Sequence, residues 1–223
     1  MLTFDPRQVP VVSSFEPEPA LSPDRLHPAA LRERWGAPPS WQPEIRREKK
    51  FTHRAPAAAA VLIPLVMTGE GLAVLLTVRT AHLSSHAGQV AFPGGRIDAQ
   101  DRNAQDAALR EAHEEVGLPP ATVEILGTLP DYITGSSFHV TPVVGLLQSN
   151  PSLTPNPHEV DAIFQVPLSF LMNPAHHRRH RFEWTPEDVR EWYSMPYHDG
   201  SREWFIWGAT AGMLRNFYHF LAA

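Results

Sequence analysis

Cysteine is missing from all 223 residues, which removes disulfides, thiolate metal sites and a cysteine nucleophile together. Basic residues are outnumbered: 19 Lys and Arg against 24 Asp and Glu give a formal net charge of −5. No global basic field is therefore present to recruit nucleic acid. The opening M-L-T-F-D-P-R-Q-V-P has neither an apolar h-region nor a run of membrane-spanning length, so a soluble, cytoplasmic protein without a membrane partner is expected. No G-x-S-x-G elbow and no G-x-x-x-x-G-K-[ST] phosphate loop occurs, and His113-Glu114-Glu115 only begins like the zinc motif H-E-x-x-H.

Proline, by contrast, is abundant, at 23 residues. Many of these fall between Met1 and Thr52, where a ring that fixes φ and removes the amide donor prevents continuous helix or sheet. Only Pro28 to Trp35 reads as a short helix. Residues 1–52 are expected to form an irregular arm that packs on the domain or on a second subunit, or else a disordered tail. The arm also leaves a homodimer as a possible partner arrangement. Residues 53–223 form the globular domain, and hydrophobic residues at 43% of the chain suffice for a core.

Within that domain, Ala57 to Val66 and Leu72 to Arg79 are apolar runs of strand length around Gly69-Glu70-Gly71, which predicts a hairpin. Thr80 to Gln89 is a polar loop. Val123 to Leu129, Val140 to Leu147 and Val160 to Val166 read as further strands, with Pro142 suggesting an edge or a bulge. Pro167 to Met172 starts a short helix, and His176 to Arg181 (H-H-R-R-H-R) is expected to be a charged loop. Two or three antiparallel strands end at Glu203 to Trp207, where Trp204, Phe205 and Trp207 suit core or dimer contacts better than a base-stacking platform. A closing helix carries Met213, Leu214, Phe217 and Leu221 at core spacing. A mixed sheet sandwiched by a few helices fits this order.

The stretch that carries chemistry is Phe92 to Leu118. It begins with a Pro-Gly-Gly turn and then reads as one helix ending at Gly117, a natural left-handed cap. Ala108, Leu109, Ala112 and Val116 form its apolar stripe. Glu111, Glu114 and Glu115 share the adjacent sector with small Ala104 and Ala107, and no lysine follows them at i+4. Crowded carboxylates of this kind suit a hard divalent cation such as Mg²⁺, bound together with substrate phosphate. Gly94 and Gly95 would let backbone approach a bulky anion, aided by the dipole of the helix N-terminus. Carboxylates, metal and an anion pocket together suggest metal-assisted cleavage of a phosphoanhydride.

The string R-E-A-H-E-E-V-G-L (Arg110 to Leu118) behind Gly94-Gly95 resembles the signature of the Nudix hydrolases, which cleave nucleoside diphosphates linked to another group. Asp101 stands where the early glutamate is usual, and the spacing from Gly95 to Arg110 is one residue longer than in the general pattern. The coenzyme A pyrophosphatase branch carries the same variant, with Asp98 and Asp101 in the turn. Leu75 to Gly95 is similar to that branch's upstream motif at Arg79, His86, Gly88, Gln89 and Phe92, and departs from it at Ser84, where the motif has arginine. Downstream, V-T-P-V-V-G, E-V-D-A-I-F-Q-V-P-L and F-I-W-G-A-T-A-G-M-L also resemble the branch, so the likeness runs from about Ala57 to Leu221.

The resemblance implies an α/β fold, a Nudix-type α/β/α sandwich with a mixed sheet. It implies Glu111, Glu114 and Glu115 as ligands of Mg²⁺ or Mn²⁺, with Arg110 orienting a glutamate. Glu111 is the first choice for the base that activates water and Glu159 the second. Arg79, His86, Gly94 and Gly95 would meet a small-molecule nucleotide substrate. Coenzyme A or an acyl-CoA would yield 3′,5′-ADP and (acyl-)4′-phosphopantetheine. Ser84 keeps open another dinucleotide (NADH, ADP-ribose or a dinucleoside polyphosphate), and a non-catalytic nucleotide sensor is the reading from a different class. His82 could contact phosphate or base but suits a structural or solvated role at least as well, and the His176 to Arg181 run could meet a 3′-phosphate but is expected to be solvated.

Overall fold

The computed structural model describes residues 5–12, 18–81, 88–148, 151–185 and 188–223. His82, Ser84 and His86 lie outside the described residues. After short 3-10 turns at Pro6–Gln8 and Pro23–Leu26, the arm forms α1 (Pro28–Gly36). The strands and helices that follow are β1 (Ala57–Thr68), β2 (Gly71–Arg79), β3 (Val90–Ala91), β4 (Gly94–Arg96), α2 (Ala104–Val116), β5 (Val123–Thr128), β6 (Tyr132–Ile133), β7 (Phe138–Leu147) and β8 (Val160–Pro167). The chain ends with α3 (Leu168–Leu171), β9 (Arg178–Thr185), β10 (Asp188–His198), β11 (Glu203–Trp207) and α4 (Gly208–Ala222).

β1 is the spine. It pairs antiparallel with β2 and β4 and parallel with β7, while β8 and β3 flank β2, and β5 and β6 flank β7. Its near-continuous apolar sequence is the mark of a strand covered on both faces. Ala60, Leu62 and Val66 pack with Ala108, Ala112 and Val116 of α2 on one side. Ala59, Ile63 and Leu65 join Leu31 of α1, Leu171 of α3 and Phe217 of α4 on the other. The result is a mixed sheet between helical layers, an α/β/α sandwich. A separate three-stranded antiparallel sheet, β11-β10-β9, completes the α4 side. Trp204 stacks on Phe164 with centroids 3.8 Å apart, inside the core.

Three expectations are corrected. The helix does not follow directly from the glycine turn: Gly94–Arg96 is a strand on β1, and α2 starts only at Ala104. The reason is local, since the Asn103 side chain accepts from Asp106 N at 2.9 Å and caps the helix there. At the other end Gly117 takes φ 69°, as its cap role requires. Second, Pro142 sits in a central strand, not at an edge, although the bulge alternative has a counterpart beside it, where β5 shifts register against β7 between Ile125 and Gly127. Its carbonyl accepts from Leu129 N at 2.9 Å, so its amide side faces the break between β5 and β6, where the ladder has no donor to lose. Third, most of His176 to Arg181 is not a loop. Residues 178–181 open β9, with His180 buried while Arg179 and Arg181 lie outward against Glu191 and Glu183.

The described part of the arm packs on its own domain. Leu26 and Leu31 enter the main core, and Glu44 pairs with the buried Arg215 of α4 at 2.8 Å. Arg215 also donates to His177 Nδ1 at 3.2 Å, while His177 Nε2 donates to Leu171 O at 2.7 Å, which fixes a neutral imidazole. Burial and the Arg215 charge push His177 down to about 4. A histidine held below its unfolded value adds stability above about pH 6.5 that is lost as pH falls toward 4. Denaturant titration should therefore show the wild type losing roughly 2 kcal/mol between pH 7 and pH 5 through this group. The same titration of His177→Gln should show that share of the slope gone; an unchanged slope would refute it.

Candidate active site

The acidic face of α2 is assembled against β4, and the close approach depends on glycine. Gly94 N donates to Glu115 Oε2 at 3.1 Å. A Cβ on Gly95 would come within 2.5 Å of the Glu111 carboxylate. The glycines thus face the second half of α2, not its N-terminus, so the helix dipole proposed for an anion there has no structural counterpart.

Glu115 is the buried member, 3% exposed. Burial pushes its carboxyl up to about 7, with Glu159 and Glu111 adding to the effect while the Gly94 N–H and the Arg79 charge oppose it. Arg79, at the end of β2, lies 3.6 Å from its Oε1. Glu111 is raised as well, by burial first and then by Glu114 and Glu159 against the pull of Arg110. Glu159 belongs to the loop before β8, and its carbonyl accepts from Thr80 N at 3.0 Å, so it sits beside the end of β2. Glu114 is the most exposed of the set.

Arg110 is the hub. Its Nη1 donates to Glu111 at 2.9 Å and to Glu114 at 3.1 Å, touching two glutamates of the face at once. Its Nε and Nη2 grip Asp101 in a fork at 3.0 and 2.9 Å, and Nη2 also reaches Arg96 O at 3.1 Å. The charge-assisted bonds hold Asp101 below the usual carboxylate range and Arg110 above the usual guanidinium value. Asp101 as the clamp on Arg110 is the contact that motif spacing did not reveal. Its signals were the acid-rich Asp98-Ala99-Gln100-Asp101 turn ahead of the helix and the place of Asp101 where the early glutamate is usual.

Arg79, Gly94, Gly95, Arg110, Glu111, Glu114, Glu115 and Glu159 therefore share one site, and His86 lies outside the described residues. The donor chemistry suits a hard divalent cation: several carboxylates, one of them buried without full counter-charge, and no soft ligand. Among the described residues no three acidic or histidine side chains converge as ligands in this arrangement. Glu111 and Glu114 are turned to Arg110, and Glu115 to Gly94.

Comparison with known proteins identifies the family. Residues 56–207 match the family described as NUDIX domain. A protein of Enterobacter sp. (strain 638) described as an uncharacterized Nudix hydrolase, NudL, is 44% identical over 157 residues, covering 70% of this chain and 79% of its own length. The protein of the same description from Escherichia coli (strain K12) is 40% identical over 174 residues, covering 78% and 85%. The crystal structure of a Nudix hydrolase from M. smegmatis, RenU, aligns at 28% identity with a TM-score of 0.44, over 52% of this chain and 73% of that one. On the family match and the identity to these hydrolases, the chain belongs to the Nudix family and is a Nudix hydrolase.

Proposed function

We propose that the chain hydrolyses the pyrophosphate of coenzyme A or an acyl-CoA, releasing 3′,5′-ADP and (acyl-)4′-phosphopantetheine. The observation that carries the hydrolytic reading is the packing of Gly94 and Gly95 against Glu115 and Glu111. Close backbone approach there keeps carboxylates and substrate phosphate within reach of one another. Coenzyme A is favoured by the Leu75 to Gly95 block, whose matches to the coenzyme A pyrophosphatase branch include Arg79 and His86.

In this reading Glu111, Glu114 and Glu115 hold Mg²⁺ or Mn²⁺. The ion supplies Lewis acidity at the phosphoryl oxygens and neutralises charge that grows there. Glu111 accepts the proton of the attacking water as the new phosphorus–oxygen bond forms and the bridging anhydride bond breaks. Glu159 is the second candidate for that role. Arg110 positions Glu111 and Glu114, itself held by Asp101. Arg79 offers a guanidinium beside Glu115 for a substrate phosphate.

Ser84 motivates the competing reading, a different dinucleotide, because the branch motif has arginine there. Incubation with Mg²⁺ and a panel of coenzyme A, acyl-CoA, NADH, ADP-ribose and diadenosine polyphosphates, with products identified by mass, separates the two. Turnover of coenzyme A above the rest is expected; preference for another member would overturn the coenzyme A assignment.

Gly95→Ala tests the geometry directly. Its methyl would land on the Glu111 carboxylate, a flexible group that can turn away. The fold should hold, with an unchanged melting temperature, while kcat falls about 10²-fold through displacement of Glu111. Full activity in the alanine variant would count against a role for Glu111.

A further inference from the structure

A cavity lies away from the acidic face, between the arm, the break that separates β5 from β6, and the end of α4. Its volume is about 460 Å³, within the range of small-molecule sites. Trp35, Trp41 and Phe220 give it aromatic walls: both indoles pack on the Phe220 ring, at centroid distances of 4.6 and 5.4 Å. Pro38 adds apolar surface, and Asp131 and Thr141 supply the polar edge. All three aromatic residues fall outside the family-matched residues 56–207, whereas Thr128 to Asp131 and Thr141 fall inside them, so the arm and the last helix supply the aromatic wall and the shared domain supplies the polar edge.

The charge pattern selects the ligand. Asp131 alone is charged among the described residues lining the cavity. Its Oδ1 accepts from Thr141 Oγ1 at 2.8 Å, and no basic side chain among the described residues pairs with it. A lone carboxylate beside π-faces repels phosphate and attracts cations, since ring faces carry the negative end of the aromatic quadrupole. We propose that this cavity binds a small organic cation, an alkylammonium or alkylguanidinium group, with its alkyl part against Trp35, Trp41 and Phe220 and its charge facing Asp131. The inference does not depend on which nucleotide the enzyme cleaves.

The test is a titration of the full chain at low ionic strength with tetramethylammonium and with methylguanidinium, followed by saturation-transfer NMR and by the indole N–H signals. Saturable binding with Kd on the order of 1 mM is expected for at least one of them. Asp131→Asn, a near-isosteric change at an exposed position, should weaken it tenfold or more, and Trp41→Leu should do the same. tert-Butanol, the neutral isostere, should bind more weakly than tetramethylammonium. Absence of saturable binding, or binding unchanged by Asp131→Asn, would overturn the proposal. Equal affinity for tert-butanol would do so too, as would adenosine binding at this site in preference to either cation. Should Trp41→Leu fail to fold, the Asp131→Asn result and the neutral isostere decide.

Discussion

Glu115→Gln is expected to lower kcat by at least about 10²-fold, the scale on which one preorganised electrostatic partner counts in an active site. Glutamine keeps the length and shape of the side chain, and its amide oxygen can still accept from Gly94 N, the bond that ties α2 to β4 at 3.1 Å. What disappears is the negative charge, in a side chain that is 4% exposed. The two consequences can be read separately. Thermal denaturation in chelator should show the variant no less stable than wild type, because removal of a buried, incompletely paired charge takes away a desolvation cost. Steady-state kinetics in Mg²⁺ should show the loss in kcat. Activity within threefold of wild type would remove Glu115 from the proposed metal site, and loss of activity together with loss of fold would mark it as structural.

How far the sequence foretold this arrangement depends on the range of the interactions concerned. The β1–β2 hairpin, the α2 stripe, the Gly117 cap and the core face of α4 were legible because each rests on a local period or a single backbone requirement. The start of α2 was not, since the glycine turn suggested a helix beginning where the Asn103 cap and the β4 pairing instead put a strand and a loop. Pro142 misled for the same reason: whether a missing amide matters depends on the neighbouring strand, and the β5–β6 break is not written near residue 142. His180, read as one of a charged run, is buried by bonds to Val9 O and Ser194 Oγ at 2.9 and 2.8 Å, partners 171 and 14 positions away. In the site, motif spacing grouped Glu111, Glu114 and Glu115 correctly as neighbours but gave them one environment. The structure separates them, with Glu115 buried, Glu114 exposed and Glu111 between.

Arg215→Ala should be strongly destabilising. The Arg215 side chain is 4% exposed and meets Glu44 at 2.8 Å, Glu18, and the neutral His177 ring, with its guanidinium 5.4 Å from the rings of both Tyr193 and Tyr218. The two acids are about a third exposed, so losing Arg215 strands them only in part, and the cost should be about 2–3 kcal/mol, below the range for a fully buried pair. For a chain of this size that is roughly 4–12 °C in melting temperature. Glu44 is held down to about 2, against the cost of its own burial, by His219 and Tyr193 as well as Arg215. The alanine variant therefore keeps part of Glu44's support, and the larger penalty falls on Glu18 and on the cavity beside the tyrosines. Adding Glu44→Gln to Arg215→Ala should cost less than the sum of the two single changes, a coupling that a double-mutant cycle measures directly. Arg215 lies on the α4 side of the sheet, opposite the acidic face of α2, so kcat well below the melting temperature should stay near wild type. A loss of both in proportion would instead mean that the contact between arm and α4 reaches the active site through the sheet.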